Sequence, residues 1–326
     1  MALPSFTPFE VNYHAFDFPP GTIKRFGTLH FTPNDLAHAL FTTGRAPGNQ
    51  FSHGSTSFWE FVHRATLIPA YIRRNHTGRL VRSRLALELD RSEKVAVSYA
   101  LGQALTGVFC QDLLSTPFLM HVDRYASRYG AVYASPRRRA DLFGYRNTLD
   151  WVVAEAKGRS NSMESDLQGK LAMQKRSIIS IAGAPPALTL GCVASFPPPD
   201  SELRVDAFDP EMEEIEPVAL DVDLDRFMLA YYEPFIAAID IGANEQDQER
   251  GSPIRSVRFQ ALGLRIGLLR SIEEKVRLTI REGDTNGLAQ SILSQLDDAQ
   301  PEVSFADGSL IETEWEDALT TGDWQY

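Results

Sequence analysis

The 326-residue chain has little cysteine and no long apolar segment. Its two cysteines, Cys110 and Cys192, lie in apolar stretches, so we expect buried free thiols rather than a disulfide or a cysteine-rich zinc site. No apolar run approaches the ~18 residues that a membrane-spanning helix needs. The first residues, MALPSFTPFE, lack the basic and apolar regions of a secretory signal. We therefore expect a cytoplasmic protein that does not enter a membrane.

Several common signatures of enzymes are also missing. The chain has no G-x-x-x-x-G-K-[ST] phosphate loop, no G-x-G-x-x-G dinucleotide motif, no G-x-S-x-G nucleophile elbow and no H-E-x-x-H zinc motif. It has no internal repeat and no low-complexity tract. These absences remove the usual markers of nucleotide-driven, dinucleotide-dependent and common hydrolase chemistry.

Charge is distributed unevenly along the chain. The net charge is −11, but residues 1–200 carry 22 Lys plus Arg against 15 Asp plus Glu, and residues 201–326 carry 10 against 28. Basic residues in the first part are plausible contacts for nucleic-acid phosphates. The acidic second part is consistent with a surface for a basic protein partner, with a screen against DNA, or with solubility alone.

Residues 140–161, ADLFGYRNTLDWVVAEAKGRSN, contain two short strand-like segments joined by a polar loop. If Tyr145 pairs with Trp151, the register places Asp141 opposite Glu155, about 5 Å away at Cβ. Because side chains alternate between the faces of a strand, Glu155 and Lys157 share one face. The sequence therefore predicts a hairpin that ends in two carboxylates and a lysine.

This cluster suits a divalent metal ion. Carboxylates held so close repel each other unless a cation neutralises them. Magnesium prefers carboxylate oxygens and is commonly completed by waters and substrate phosphates. The alternative is a solvated edge hairpin that ends in an ordinary salt bridge.

Asp141, thirteen further residues and then Glu155-Ala156-Lys157 on an apolar strand together resemble the signature of the PD-(D/E)xK, or restriction-endonuclease-like, nuclease superfamily. The resemblance covers about residues 90–196. It implies that Asp141, Glu155 and the Ala156 carbonyl bind Mg²⁺ or Mn²⁺, and that Lys157 places or activates the attacking water. Ala140 stands where the name of the family expects proline.

Residues Ser162–Ile181 have apolar positions at three- and four-residue steps, which predicts a helix. Gln174 interrupts its apolar stripe, and relatives in the superfamily often carry a Gln or Lys on this helix that points into the site. The resemblance therefore makes Gln174 a fourth catalytic candidate, with Lys175 as its alternative. A helical glutamine that is bonded to neighbouring backbone would explain the same pattern.

A long helix is predicted from Asp90 to about Leu114, followed by strands at Phe118–Arg124 and Ala187–Phe196. Relatives often place a metal-binding glutamate on the first helix of the core, which would be Glu93. Asp90 and Glu93 also have the spacing of a capping box, and this simpler interpretation is favoured.

Basic side chains surround the candidate site in the sequence. We predict that six of them contact nucleic acid: Arg137, Arg138, Arg139, Arg159, Lys170 and Lys175. An ordinary solvated surface is the alternative for any one of them.

The predicted fold is α/β, with a mixed central sheet flanked by helices and a mainly helical, acidic C-terminal region. The predicted divisions are 1–89, of unknown role, 90–199, the nuclease-like core, and 200–326. Residues 1–89 contain a strand candidate at Thr28–Thr32 and a helix candidate at Phe58–Arg73. Residues 200–326 begin with an acidic segment that runs to residue 225, which we interpret as an exposed connector or an interaction surface. Helical periodicity follows in three segments: Leu224–Ile241, Phe259–Ile280 and Leu288–Leu296.

The expected function is metal-dependent hydrolysis of phosphodiester bonds in nucleic acid, with DNA preferred over RNA. A homodimer is possible, because family members that cut both strands often use two sites. The alternative is a non-catalytic or partner-activated nucleic-acid-binding or scaffold subunit of a larger complex, such as a defence-type complex.

Overall fold

The computed structural model describes residues 7–43, 56–122, 140–162, 178–198, 201–209, 218–242, 246–247, 252–297 and 305–320. The described helices are α1 (Pro33–Thr42), α2 (Thr56–Ala65), α3 (Leu67–Tyr71), α4 (Arg84–Glu88), α5 (Arg91–Leu114), α6 (Leu224–Ile241), α7 (Arg270–Glu282), α8 (Leu288–Asp297) and α9 (Glu316–Thr320).

A seven-stranded sheet lies at the centre of the fold, in the order β2-β1-β10-β9-β7-β6-β5. Its strands are β1 (Phe9–Phe16), β2 (Phe26–Phe31), β5 (Phe118–His121), β6 (Leu142–Tyr145), β7 (Trp151–Arg159), β9 (Leu188–Ser195) and β10 (Arg204–Phe208). The pairs β1–β10 and β7–β9 are parallel, and the other four pairs are antiparallel. The sheet is therefore mixed, as predicted.

Helices cover both faces of this sheet. On one face, α5 packs closely against β7, and its Phe109 meets Tyr13 of β1. On the other face, Phe227 of α6 packs edge-on against Trp151 of β7 at 5.2 Å between ring centroids. The α/β architecture with a central mixed sheet and flanking helices is confirmed.

The remaining strands form three smaller sheets. They are β3 (Ile72–Arg74) with β4 (Leu80–Arg82), β8 (Ile178–Ile181) with β11 (Val218–Leu220), and a four-stranded sheet of β12 (Gln246–Asp247), β13 (Ile254–Phe259), β14 (Leu264–Leu269) and β15 (Ser309–Thr313). A 3-10 turn, Gln260–Leu262, joins β13 to β14.

Both predicted division points fall within the connections of the central sheet. The sheet combines β1 and β2 from residues 1–89, four strands from the nuclease-like segment, and β10 from beyond residue 200. A single cluster of buried apolar side chains also runs from Phe9 to Leu319. The three segments therefore share one core.

Several predicted elements are confirmed. The strand near Thr28–Thr32 is β2, and the strands near Phe118–Arg124 and Ala187–Phe196 are β5 and β9. The predicted helix at Leu224–Ile241 is α6, and the one at Leu288–Leu296 is α8. Cys110 and Cys192 are both free and buried.

Other predicted elements are wrong in part. Ile178–Ile181, the predicted end of a helix, is strand β8, and Leu264–Leu269, inside a second predicted helix, is strand β14. The predicted helix at Phe58–Arg73 breaks into α2 and α3 and ends in β3. Short apolar runs fit either period, and pairing with a neighbouring strand decided these cases.

The described C-terminal region contains the four-stranded sheet as well as helices α6–α9. Its start is not an exposed connector throughout, since Arg204–Phe208 is a largely buried strand of the central sheet. Residues 305–320 are also integrated: Ser309–Thr313 pairs with β14, and the Asp307 side chain is buried. In the described part of the chain, no helix is long and apolar enough to cross a membrane.

Candidate active site

The hairpin of β6 and β7 has the predicted register. Tyr145 pairs with Trp151, and Leu142 pairs with Ala154. The next residues beyond this ladder, Asp141 and Glu155, therefore face each other. Alternation along β7 then places Glu155 and Lys157 on one face of the strand.

Two backbone hydrogen bonds hold the carboxylates in place. The Asp141 N–H donates to Glu155 Oε2 at 3.0 Å. The Ala156 N–H donates in return to Asp141 Oδ2 at 3.2 Å. Each carboxylate thus accepts a hydrogen bond from the backbone of the opposite segment, with Asp141 immediately before β6 and Ala156 within β7.

Lys157 joins the two carboxylates. Its Nζ lies 2.5 Å from Glu155 Oε1 and 3.6 Å from Asp141 Oδ2. The Glu155 side chain is fully buried, whereas the side chains of Asp141 and Lys157 are 20% and 26% exposed. The cluster therefore has a buried end at Glu155 and an end that solvent or a ligand can reach.

The cluster has unusual electrostatics. Burial, and then the negative charge of Asp141, raise the pKa of Glu155 to about 8, even though Lys157 opposes the shift. Burial lowers the pKa of Lys157, but attraction by Glu155 and Asp141 outweighs it, so that this pKa is raised overall. One ammonium is thus insufficient to keep both carboxylates ionised at neutral pH, and a second cation would relieve the repulsion.

The donor set fits a magnesium ion. Among the described residues, no group of three His, Cys, Asp or Glu side chains is arranged to hold a metal. Magnesium does not need one, since one or two carboxylates with waters and substrate phosphates commonly suffice. The Ala156 N–H points towards Asp141, and the carbonyl of a strand residue lies on the same side as its N–H. The Ala156 carbonyl therefore lies on the side of β7 that faces Asp141.

Glu93 serves as a helix cap. Its carboxylate accepts a hydrogen bond from the Asp90 N–H at 3.0 Å, and Asp90 accepts from the N–H groups of Ser92 and Glu93. The capping interpretation is confirmed, and Glu93 is left out of the site.

Two glycines that the sequence reasoning missed shape the site from behind. A Cβ on Gly158 would overlap the Ser98 carbonyl of α5, and a Cβ on Gly102 would overlap the backbone at Lys157 and Gly158. Helix α5 therefore lies directly against the strand that carries Glu155 and Lys157. A glycine immediately after E-A-K, inside a strand, was the signal, because such glycines often mark a close backbone approach.

The described structure does not place the remaining predicted site residues beside Asp141, Glu155 and Lys157. Arg159 ends β7 and is partly exposed, and its Nη1 donates to the Gly158 carbonyl at 3.4 Å. Six candidates lie outside the described residues: Arg137, Arg138, Arg139, Lys170, Gln174 and Lys175.

Comparisons with known proteins give no match: no protein-family description, no curated protein and no solved structure is similar to this chain.

Proposed function

We propose that the chain is a metal-dependent nuclease that hydrolyses phosphodiester bonds in nucleic acid, with DNA preferred over RNA. The observation that carries the proposal is the juxtaposition of Asp141, Glu155 and Lys157, in which a buried carboxyl has a pKa of about 8. Perturbed carboxyls that converge with a lysine at a partly open site are characteristic of catalytic centres. The motif's resemblance to the PD-(D/E)xK superfamily gives the reaction class.

Asp141 and Glu155 would hold Mg²⁺ or Mn²⁺, with the Ala156 carbonyl as a further ligand. A divalent ion, when bound, lowers the pKa of a coordinated water and neutralises charge on the phosphate. Lys157, held beside both carboxylates, orients the attacking water and donates hydrogen bonds to the phosphate oxygens as their negative charge increases. Gln174 is proposed to position the water or the lysine.

The preference for nucleic acid rests on charge. The six predicted contacts at Arg137–Arg139, Arg159, Lys170 and Lys175 flank the motif in the sequence. Their positive charges would bind phosphates along the strand and make binding depend on salt. The family resemblance further implies a 5′-phosphate and a 3′-hydroxyl at the cut.

Cleavage assays on the purified chain test this function. Supercoiled plasmid and labelled single-stranded DNA and RNA are incubated with Mg²⁺, Mn²⁺ or EDTA. We expect metal-dependent cutting by the wild type, loss of cutting in Asp141→Ala and Lys157→Ala, and full activity in Lys275→Ala, a lysine on α7.

The opposite result is equally informative. If the wild type does not cut any substrate while binding DNA, the proposed nuclease activity of the isolated chain is wrong. The partner-activated or non-catalytic subunit then becomes the better description. Isolation of a protein bound through the acidic residues 201–326 would test it.

A further inference from the structure

A second feature lies next to the candidate active site, where β7 ends. A narrow crevice, partly open to solvent, separates the start of α5 from the end of β7 and from Phe196. Its polar lining includes Arg82, Lys94, Ser98 and Ser160. The rest of the wall is mainly apolar.

The two cations of this crevice have no acidic partner in the part of the chain that the structure describes. The Arg82 guanidinium lies over the Phe196 ring, 5.1 Å from its centroid, and its buried Nε has no hydrogen-bond partner. Burial lowers the pKa of Arg82, and no neighbouring carboxylate opposes that shift. Across the described residues, neither Arg82 nor Lys94 forms an ion pair.

Other partly buried arginines of this protein form ion pairs, although the Nε of Arg74 also has no hydrogen-bond partner. Arg74 pairs with Glu316 at 2.5 Å, and Arg265 pairs with Glu312 at 3.0 Å. Arg82 and Lys94 are partly exposed, so water screens part of their charge. A guanidinium and an ammonium that share a crevice without a described carboxylate still favour an anion beside them.

The crevice is close to the candidate active site. Ser160 follows Lys157 by three residues, so their Cα atoms are no more than ~10 Å apart. The carbonyl of Ser98, a residue of the crevice wall, lies directly against Gly158. Phosphates of one strand repeat about every 3.4 Å along a duplex axis. The Ser98 carbonyl lies on the face of β7 opposite to the Lys157 side chain, so a nucleic-acid strand that reaches both must pass over the end of β7. The crevice is then at most about three nucleotides from a phosphate bound beside Lys157.

The donors suit phosphate. A guanidinium presents a planar fork of N–H groups, an ammonium adds a point charge, and serine hydroxyls supply further hydrogen bonds. The partly exposed Tyr71 ring lines the crevice with these donors, whereas Phe196 is buried beneath the Arg82 guanidinium. A nucleotide has this combination of a charged phosphate and an apolar base face.

We propose that this crevice is a phosphate subsite, in which Arg82 and Lys94 hold a phosphate of the strand that is cut at Asp141, Glu155 and Lys157. The inference rests on the proposed nuclease function. The subsite fixes the position of the strand along the enzyme, so it contributes to substrate binding and not to the chemical step.

DNA binding under conditions without cutting tests the subsite. Asp141→Asn protein in EDTA is titrated with a labelled DNA at several salt concentrations. Each lost phosphate contact should lower the slope of log K against log salt by roughly 0.9 for duplex or 0.7 for single strands. We expect this decrease, with affinity about tenfold lower, in Arg82→Met and in Lys94→Gln.

Arg84→Gln is the matched control, since Arg84 is an exposed neighbour of Arg82 that pairs with Glu88. Its slope and affinity should equal those of the parent protein. If Arg82→Met and Lys94→Gln behave like Arg84→Gln, the subsite does not exist. Thermal melting identifies any folding defect in Arg82→Met. If that variant is misfolded, Lys94→Gln, which changes the surface of a helix, decides whether the subsite exists.

Cleavage kinetics separate this inference from the proposed function. In the active chain, Arg82→Met and Lys94→Gln should raise KM about tenfold and leave kcat unchanged. A loss of kcat without a change in KM would overturn the subsite. If the wild type does not cut at all, the nuclease function fails, while the salt slope still decides whether the crevice binds phosphate.

The source of the phosphate can be determined with matched oligonucleotides. DNA with a 5′-phosphate, a 3′-phosphate or only hydroxyl ends is compared, with inorganic phosphate as a competitor. Equal effects of Arg82→Met on all three support an internal phosphate. An effect confined to one phosphorylated end supports recognition of that terminus.

Discussion

Two buried carboxyl groups in this protein, Glu155 and Asp307, differ in almost every respect other than burial. Glu155 has a pKa raised to about 8, because burial and Asp141 outweigh Lys157. Burial also tends to raise the pKa of Asp307, but His38 and several hydrogen bonds outweigh it, so that this pKa is lowered. One carboxyl group resists ionisation and the other is stabilised as an anion.

The difference comes from the partners of each group. His38 Nε2 lies 2.9 Å from Asp307 Oδ2, and the Tyr231 hydroxyl donates to the same oxygen at 2.6 Å. The N–H and Oγ of Ser309 donate to Oδ1 at 3.0 and 2.7 Å. Asp307 thereby connects α1, α6 and β15, and its role is to hold the core together.

The comparison separates a structural carboxylate from a functional one. A carboxylate surrounded by donors needs nothing more from its environment. A buried carboxyl next to a second carboxylate retains an electrostatic repulsion that a bound cation would remove. This difference supports a metal at Asp141 and Glu155, and it gives no reason to expect one at Asp307.

The largest expected effect tests the functional side of the comparison. Glu155→Gln should reduce cleavage by at least about 100-fold, since it removes a proposed metal ligand. Stability should be kept or increased, because the amide carries no charge to bury. Cleavage rates and thermal melting check both parts, and substantial residual cutting would remove Glu155 from the site.

For the structural carboxylate, Asp307, we expect a loss of stability without a loss of cleavage. Asp307→Asn leaves His38 without its acidic partner, so the free energy of unfolding should fall by about 3–5 kcal/mol, as for other broken buried pairs. Denaturant titration measures this loss. Any folded Asp307→Asn protein should cut at the wild-type rate, and a normal stability would show that the network is not important for folding.

A third substitution addresses the support behind the site. Gly158→Ala should cost about 1–3 kcal/mol, because the added methyl group must displace the Ser98 backbone of α5. It should also impair cutting, since the same strand carries Lys157. Gly107→Ala in the same helix is the control: its new methyl group meets the side chain of Thr43, which can move. If Gly158→Ala and Gly107→Ala impair cutting equally, the close contact of Gly158 with α5 has no particular importance for the site.

The last prediction concerns the dependence of stability on pH. In the folded protein the pKa of Glu155 is about 8, above its ordinary value of 4.5. Between pH 4.5 and about pH 8 the folded state therefore keeps a proton on Glu155 that the unfolded state has released. Stability should therefore decline as the pH rises through this window. The Asp307 contribution has the opposite sign: it is present above the ordinary pKa of 3.8 and is lost as the pH falls through its lowered value.

Melting curves from pH 5 to 9 test this contrast. We expect Glu155→Gln to remove the decline that the wild type shows, and Mg²⁺ to restore wild-type stability most strongly at high pH, where the carboxylate is free to bind it. If the melting temperatures of the wild type and of Glu155→Gln change in parallel with pH, the raised pKa of Glu155 is contradicted.

The sequence determined the hairpin and its chemical cluster. The period of two along Trp151–Lys157 and the polar loop before it fix the register, and the register brings Asp141 to Glu155. The capped helix α5 was also predictable, because the Asp90–Glu93 box is local. All of these features depend on residues that are close together in the chain.

Only the tertiary structure decided the rest. His38 and Asp307 are 269 positions apart, and no local pattern connects them. Strand β10, which follows the proline cluster and lies within the acidic segment, enters the central sheet between β1 and β9. Strand β8 is a strand because β11 pairs with it. The pKa of Glu155 likewise depends on burial under the whole fold. Local spacing can predict which groups meet across a hairpin, whereas desolvation and long-range pairing arise only when distant segments pack together.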